Sequence, residues 1–252
     1  LECFNEKVVR KIGCGYVHTM AVCGDGVYAW GGNNYGQLGK GDTSDAFSPV
    51  KLEYFNEKVV RKIGCGYVHT MAVCGDGVYA WGRNNYGQLG KGDTSDAFSP
   101  VKLECFSGKD VRKIGCGGFH TMAVCGDGVY AWGRNNYGQL GKGDTSDAFS
   151  PVKLECFSGK DVRKICCGFY HTMAVCNDDG VYVWGFNSEG QLGKGDTSDA
   201  SSPVKLECFS GKDVRKICCG FYHTMAVCND DGVYAWGFND EGQLGEGATS
   251  DA

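Results

Sequence analysis

The chain of 252 residues is 42% hydrophobic and 22% charged, with a formal net charge of −5, the make-up of a globular domain with a sizeable core. No run of 18 apolar residues is present to cross a bilayer as a helix, and the acidic balance speaks against nucleic-acid binding, which draws on positive charge. Forty-one glycines against four prolines announce many tight turns.

In chain order, Val8 to Cys14 is a short apolar-rich run, and Thr19 to Cys23 is a second. Val27 to Trp30 follows the turn Cys23-Gly24-Asp25-Gly26. A glycine-rich connection, Gly31 to Ser48, leads to a fourth run, Pro49 to Phe55. Each run is rich in β-branched or aromatic residues and bounded by turn formers, which predicts strands. No stretch sustains a helical period. The pattern then starts again, with tryptophan returning as Trp30, Trp81, Trp132, Trp184 and Trp236. The only histidines, His18, His69, His120, His171 and His223, keep the same register. The chain is one domain of five near-identical copies, residues 1–51, 52–102, 103–153, 154–205 and 206–252. Four short strands per copy of 51–52 residues predict an all-β fold, a five-bladed β-propeller of four-stranded antiparallel blades. The fifth copy stops before the Ser-Pro-Val-Lys segment that feeds the outer strand of the others. The expectation is that Leu1 to Phe4 closes the ring by pairing with the last blade, since a paired edge is a protected edge.

Three linked blocks recur in every copy: Cys14-Gly15-x-x-His18-Thr19, Gly26-Val27-Tyr28-x-Trp30-Gly31-x-Asn33, and Gly36-Gln37-Leu38-Gly39-x-Gly41. Together they resemble the repeat of the regulator of chromosome condensation family. The resemblance implies a propeller whose innermost strand runs through Ile12 and Cys14. Its best-known members have seven blades, against five copies here. It also implies, as one reading, guanine nucleotide exchange on a Ran-like small GTPase. That activity is tied to a wedge-like insertion, and no copy here exceeds 52 residues.

Candidate chemistry is repetitive. Cys14 and His18 form a Cys-x-x-x-His pair that recurs in each copy, but a zinc site needs three or four ligands on one point, and a ring keeps the pairs apart. The reading is therefore no metal and no cofactor, with the histidines hydrogen-bonding the blade. Tyr54 stands in the slot that Cys3, Cys105, Cys156 and Cys208 share, so a disulfide there is not obligatory. Reduced thiols, with no visible leader, point to the cytoplasm or nucleus. Catalysis needs a unique constellation, whereas the candidate acids, such as Asp42 and Asp45, recur from copy to copy, with Ala248 in place of the first in the last copy. The chain is expected not to be an enzyme.

The copies differ at two slots. Before the histidine stand Tyr16, Tyr67, Phe119, Phe169 with Tyr170, and Phe221 with Tyr222. After the tryptophan, Arg83 and Arg134 give way to Phe186 and Phe238, followed by Glu189 and Glu241. An aromatic ring at one mouth of the channel, flanked by basic and acidic sectors, is the candidate protein-partner surface. Three functions remain open: a non-catalytic protein-binding scaffold, an exchange factor for a small GTPase, and a designed or excised array. Identity extending to exposed Lys51, Lys102 and Lys153 suggests recent duplication or design.

Overall fold

The computed structural model describes residues 4–177, 180–230, 232–247 and 249. The first blade is β1 (Val9–Cys14), β2 (His18–Cys23), β3 (Gly26–Gly31) and β4 (Ala46–Lys51). The second is β5 (Val60–Cys65), β6 (His69–Cys74), β7 (Gly77–Gly82) and β8 (Ala97–Lys102). The third is β9 (Val111–Cys116), β10 (His120–Cys125), β11 (Gly128–Gly133) and β12 (Ala148–Lys153). The fourth is β13 (Val162–Cys167), β14 (His171–Cys176), β15 (Val181–Gly185) and β16 (Ala200–Lys205). The fifth holds β17 (Val214–Cys219), β18 (His223–Cys228) and β19 (Val233–Gly237). Each blade is an antiparallel meander in chain order. The fold is thus the expected five-bladed propeller, with β1, β5, β9, β13 and β17 lining the centre.

The strand sequences follow from this stacking. A blade inside the row is covered on both faces. The His-Thr-Met-Ala-Val-Cys strands β6, β10 and β14 are therefore buried at every position and show no polar alternation. In β18 alternate residues are half-exposed, because one face of the fifth blade has no described neighbour.

Two sequence expectations are corrected. The outer strand begins at Ala46 rather than Pro49 and ends at Lys51. Pro49 lies within it, where the register with β3 jumps between Ala29/Val50 and Gly31/Ala46. A residue without an N–H fits such an irregularity on an outer strand. Glu53–Phe55 is a 3-10 turn, not strand, and carries buried Phe55 against Tyr79 and Trp81 of the next blade at 6.2 and 5.6 Å. Four-stranded blades are observed in the first four sheets, and three strands are described in the fifth. Of the segment expected to close the ring, Leu1 to Cys3 lie outside the described residues. Phe4 packs on Tyr28 and Trp30 of the first blade, at 5.6 and 5.7 Å. It does there what Phe55 does for the second.

Each blade grips the next through one carbonyl. The Gln37 main-chain oxygen accepts from the Thr70 hydroxyl at 2.8 Å and from Trp81 Nε1 at 2.9 Å. A hydroxyl has one proton to give. Toward His18 Nε2, 2.9 Å away, Thr70 must therefore accept, which places the imidazole proton on Nε2. The unit recurs at Gln88, Gln139 and Gln191, with Trp132, Trp184 and Trp236 as indole donors. His69, His120 and His171 bond Thr121, Thr172 and Thr224. The histidines do hydrogen-bond, but across to the neighbouring blade. No such bond joins the fifth blade to the first among the described residues. Gly39 explains the rest of the Gly-Gln-Leu-Gly motif. Its φ is +76°, and a Cβ there would stand 2.7 Å from Trp81 Nε1.

Burial pushes the His18 pKa down to about 4 and those of His69, His120 and His171 to about 3. The unfolded chain, near 6.5, then binds protons that the folded chain refuses, so stability falls as pH drops below 6.5. Four such groups give a slope approaching about 5 kcal/mol per pH unit below pH 6, at about 1.4 kcal/mol per proton. Urea midpoints between pH 7 and 5 measure this. The expected fall precedes carboxylate protonation, because Asp42, Asp93, Asp144 and Asp196 have pKa values of about 2. A paired substitution tests the grip itself. Gly141 and Gly245 share φ +74°, yet a Cβ meets Trp184 Nε1 at 2.8 Å in the first and nothing within 4 Å in the second. Both alanines incur left-handed strain of about 1–2 kcal/mol. Gly141→Ala is expected to cost about 1–3 kcal/mol more, as overpacking does, read as a lower urea midpoint than that of Gly245→Ala.

Candidate partner-binding face

The turn after each inner strand projects the variable aromatic slot to one end of the channel. Main-chain bonds string these turns together: Tyr16 N–H donates to the Tyr67 carbonyl at 3.2 Å, Tyr67 N–H to Gly117 at 3.2 Å, and Phe169 N–H to Phe221 at 3.3 Å. The side chains follow. Tyr16 and Tyr67 stack with centroids 4.2 Å apart, and Phe169 and Phe221 stack at 3.8 Å. Gly118 joins the two stacks. A Cβ there would lie 2.7 Å from the Phe169 ring, and the space lets Phe169 reach Tyr67 edge-on at 5.1 Å. Phe119 sits beneath, buried, 5.6 Å from Tyr67 and 5.5 Å from Phe169.

A second tier surrounds the first. The Arg83 guanidinium lies 4.4 Å from the Tyr35 ring centre and 5.8 Å from that of Phe119. Arg134 lies 4.5 Å from Tyr86 and 5.2 Å from Tyr170, and its Nη1 donates to the Tyr170 hydroxyl at 3.0 Å. Such contacts contribute about 0.5–2 kcal/mol each. On the other side Phe186 takes the arginine's place, 4.6 Å from Tyr137 and 5.7 Å from Tyr222. Tyr222 also lies 6.3 Å from Phe169. All nine residues predicted from the sequence therefore fall in one ring network. Tyr35, Tyr86 and Tyr137, which belong to the variable slot after the tryptophan but were not among the nine candidates, join it as well. Their signal was an aromatic residue five positions after the tryptophan in the first three copies.

The network is graded from structural to exposed. Phe119 is 8% exposed, whereas Tyr16 is 64% and Phe221 43%. Desolvation raises the hydroxyl pKa values of Tyr67, Tyr170 and Tyr222, so all three remain neutral donors at physiological pH. The Cys-x-x-x-His pairs do not converge: His69 points into the blade interface, and no cluster of three metal-ligating side chains occurs among the described residues. Cys65, Cys116 and Cys167 are thiols. In chemical terms the face offers apolar stacking area, cation–π edges and phenolic hydrogen bonds.

The fold, the motif-bearing interfaces and this face define an RCC1-type propeller. The RCC1-like domain model matches residues 98–252, and regulator of chromosome condensation repeat models match 25–73, 9–37 and 60–88. The chain belongs to the regulator of chromosome condensation (RCC1) repeat family. It is 39% identical over 247 residues to the Arabidopsis thaliana ultraviolet-B receptor UVR8, covering 96% of this chain and 56% of that protein. It is 33% identical over 257 residues to the human E3 ubiquitin-protein ligase HERC2, covering 99% of this chain but 5% of the ligase. The chain thus spans little more than half of the one relative and a small part of the other. Among solved structures, human WBSCR16 aligns with a TM-score of 0.86 at 29% identity, over 100% of this chain and 67% of that one. Prp20p from Saccharomyces cerevisiae, described with its binding to Gsp1p and histones, aligns at 0.82 with 25% identity, over 94% and 58%.

Proposed function

We propose that this chain is a non-catalytic protein-binding propeller that docks a partner protein on its aromatic face. One observation carries the reading: the residues that vary among near-identical copies meet in one ring network, with Tyr16 and Phe221 exposed and Arg83 and Arg134 at its edge. Tyrosine and arginine around a desolvated centre are the composition of protein-interface hot spots. Reduced thiols at Cys65, Cys116 and Cys167 fit work in the cytoplasm or nucleus. Light reception is not carried over from UVR8. All five tryptophans occupy the equivalent blade slot, and none stands in the aromatic slot.

The likeness to Prp20p favours a small GTPase as the partner class, with nucleotide exchange as the second reading. Two measurements separate these. With a Gsp1p-type GTPase as probe, replacing Phe169, Tyr170, Phe221 and Tyr222 by serine is expected to lower capture at least ten-fold while the thermal unfolding profile stays close to that of the wild type. Equal capture would assign the rings to blade packing. In the second measurement, release of a fluorescent nucleotide from the same GTPase is expected to be unchanged by the wild-type chain. Accelerated release would replace the scaffold reading with the exchange reading.

A further inference from the structure

The other end of the channel has the opposite chemistry. Every inner strand begins Val-Arg-Lys-Ile, as in Arg61-Lys62-Ile63 and Arg112-Lys113-Ile114. In a regular strand an arginine and the lysine after it point to opposite faces. Each inner strand departs from that regularity, with a β-bulge at that place. In β5 the register steps from Val60/Cys74 to Lys62/Val73, leaving Arg61 as the extra residue. The same step leaves Arg112, Arg163 and Arg215 unopposed in β9, β13 and β17. The arginines of these four strands border the same space as the lysines, with the heads of Arg61 and Arg112 lying beside Gly75 and Gly126 and that of Arg163 on Asp213.

The result is a cavity of about 740 Å³ lined by the lysines of all five inner strands, the arginines of the last four, and one isoleucine from each. No carboxylate lines it among the described residues. Among the described residues, carboxylate partners are found for Arg112, with Asp110 at 2.9 Å, and for Arg163, with Asp213 at 2.6 Å. Nine cations thus converge in a protein whose net charge is −5. The crowding registers on Lys164, whose pKa is lowered by burial and then by Arg163 and Lys113. Among the described residues, two of the nine have a carboxylate partner; like charges gathered with so few counter-charges cost stability, and a bound anion would relieve that cost. The volume falls in the range of small-molecule sites, roughly 300–1,000 Å³. The cations form a ring around a short apolar floor rather than a track along a surface, which suits a compact polyanion better than an extended chain.

We propose that this basic mouth binds a compact, multiply phosphorylated small molecule, with phosphates spread around a small ring or short chain. Lysine supplies point charges to each phosphate, and the bulge arginines supply forked donors to phosphate oxygens. The isoleucines contact the apolar scaffold between them.

Titration calorimetry with inositol hexakisphosphate and with inorganic tripolyphosphate at 150 mM salt tests the site. The expected result is one-to-one binding in the micromolar range that weakens steeply with salt. The variant Lys62→Gln, Lys113→Gln, Lys164→Gln is expected to bind at least 30-fold more weakly. A control with the same change of charge, Lys51→Gln, Lys102→Gln, Lys153→Gln on the outer strands, is expected to bind as the wild type does. The channel variant removes repulsion, so it is also expected to unfold at the same or a higher temperature, and polyphosphate should raise the unfolding temperature of the wild type alone. No binding by the wild type, equal loss in both triple variants, or tighter binding of a glutamate-rich decapeptide than of either polyphosphate would each overturn the proposal.

Discussion

The molecule is organised by a single acceptor. The main-chain oxygen of the glutamine in Gly-Gln-Leu-Gly takes two hydrogen bonds from the following blade, one from threonine and one from indole. Everything around it is buried, so neither donor has water as an alternative. The second bond fixes where tryptophan must lie, and the first fixes the direction of the hydroxyl proton, hence the tautomer of the histidine behind it. The second glycine of the motif keeps the backbone close enough for the indole to reach. The residues that look most like chemistry in the sequence are thus committed to joining one blade to the next.

That commitment frees the ends of the channel. The inner strands run from a cationic mouth to an aromatic one within about six residues, or roughly 20 Å at strand rise. Identical side chains repeat at the first mouth and varied ones meet at the second. Repetition suits a ligand with several equal groups, and variation suits a surface that must tell one partner from another.

Much of this was legible in the sequence, for reasons that differ by element. The blade count and the inner three strands were readable because turns and β-rich runs repeat in register. The outer strand was misplaced by three residues because Pro49 looks like a beginning, when it occupies an irregularity inside β4. The aromatic network was legible in part. The slot before histidine declares itself by its changes between copies, but Tyr35 joins through Arg83 of the next blade, and Tyr86 through Arg134 and the Phe119 ring at 5.4 Å. The basic cavity was not legible at all. A bulge leaves no mark in Val-Arg-Lys-Ile, and simple alternation would have placed arginine and lysine on opposite faces.

The carbonyl grip reaches one neighbour and no further. The third blade is therefore held on two sides, while the first and fifth are each held on one among the described contacts. Cooperativity in such a row is a property of the junctions, and it decays along the chain as in other linear arrays. Opening should begin at the outermost blades and advance inward one junction at a time. Amide protons of β9 and β10 would then exchange last. Any ligand bridging all five inner strands would act as a hoop, turning a sequence of local openings into one concerted event.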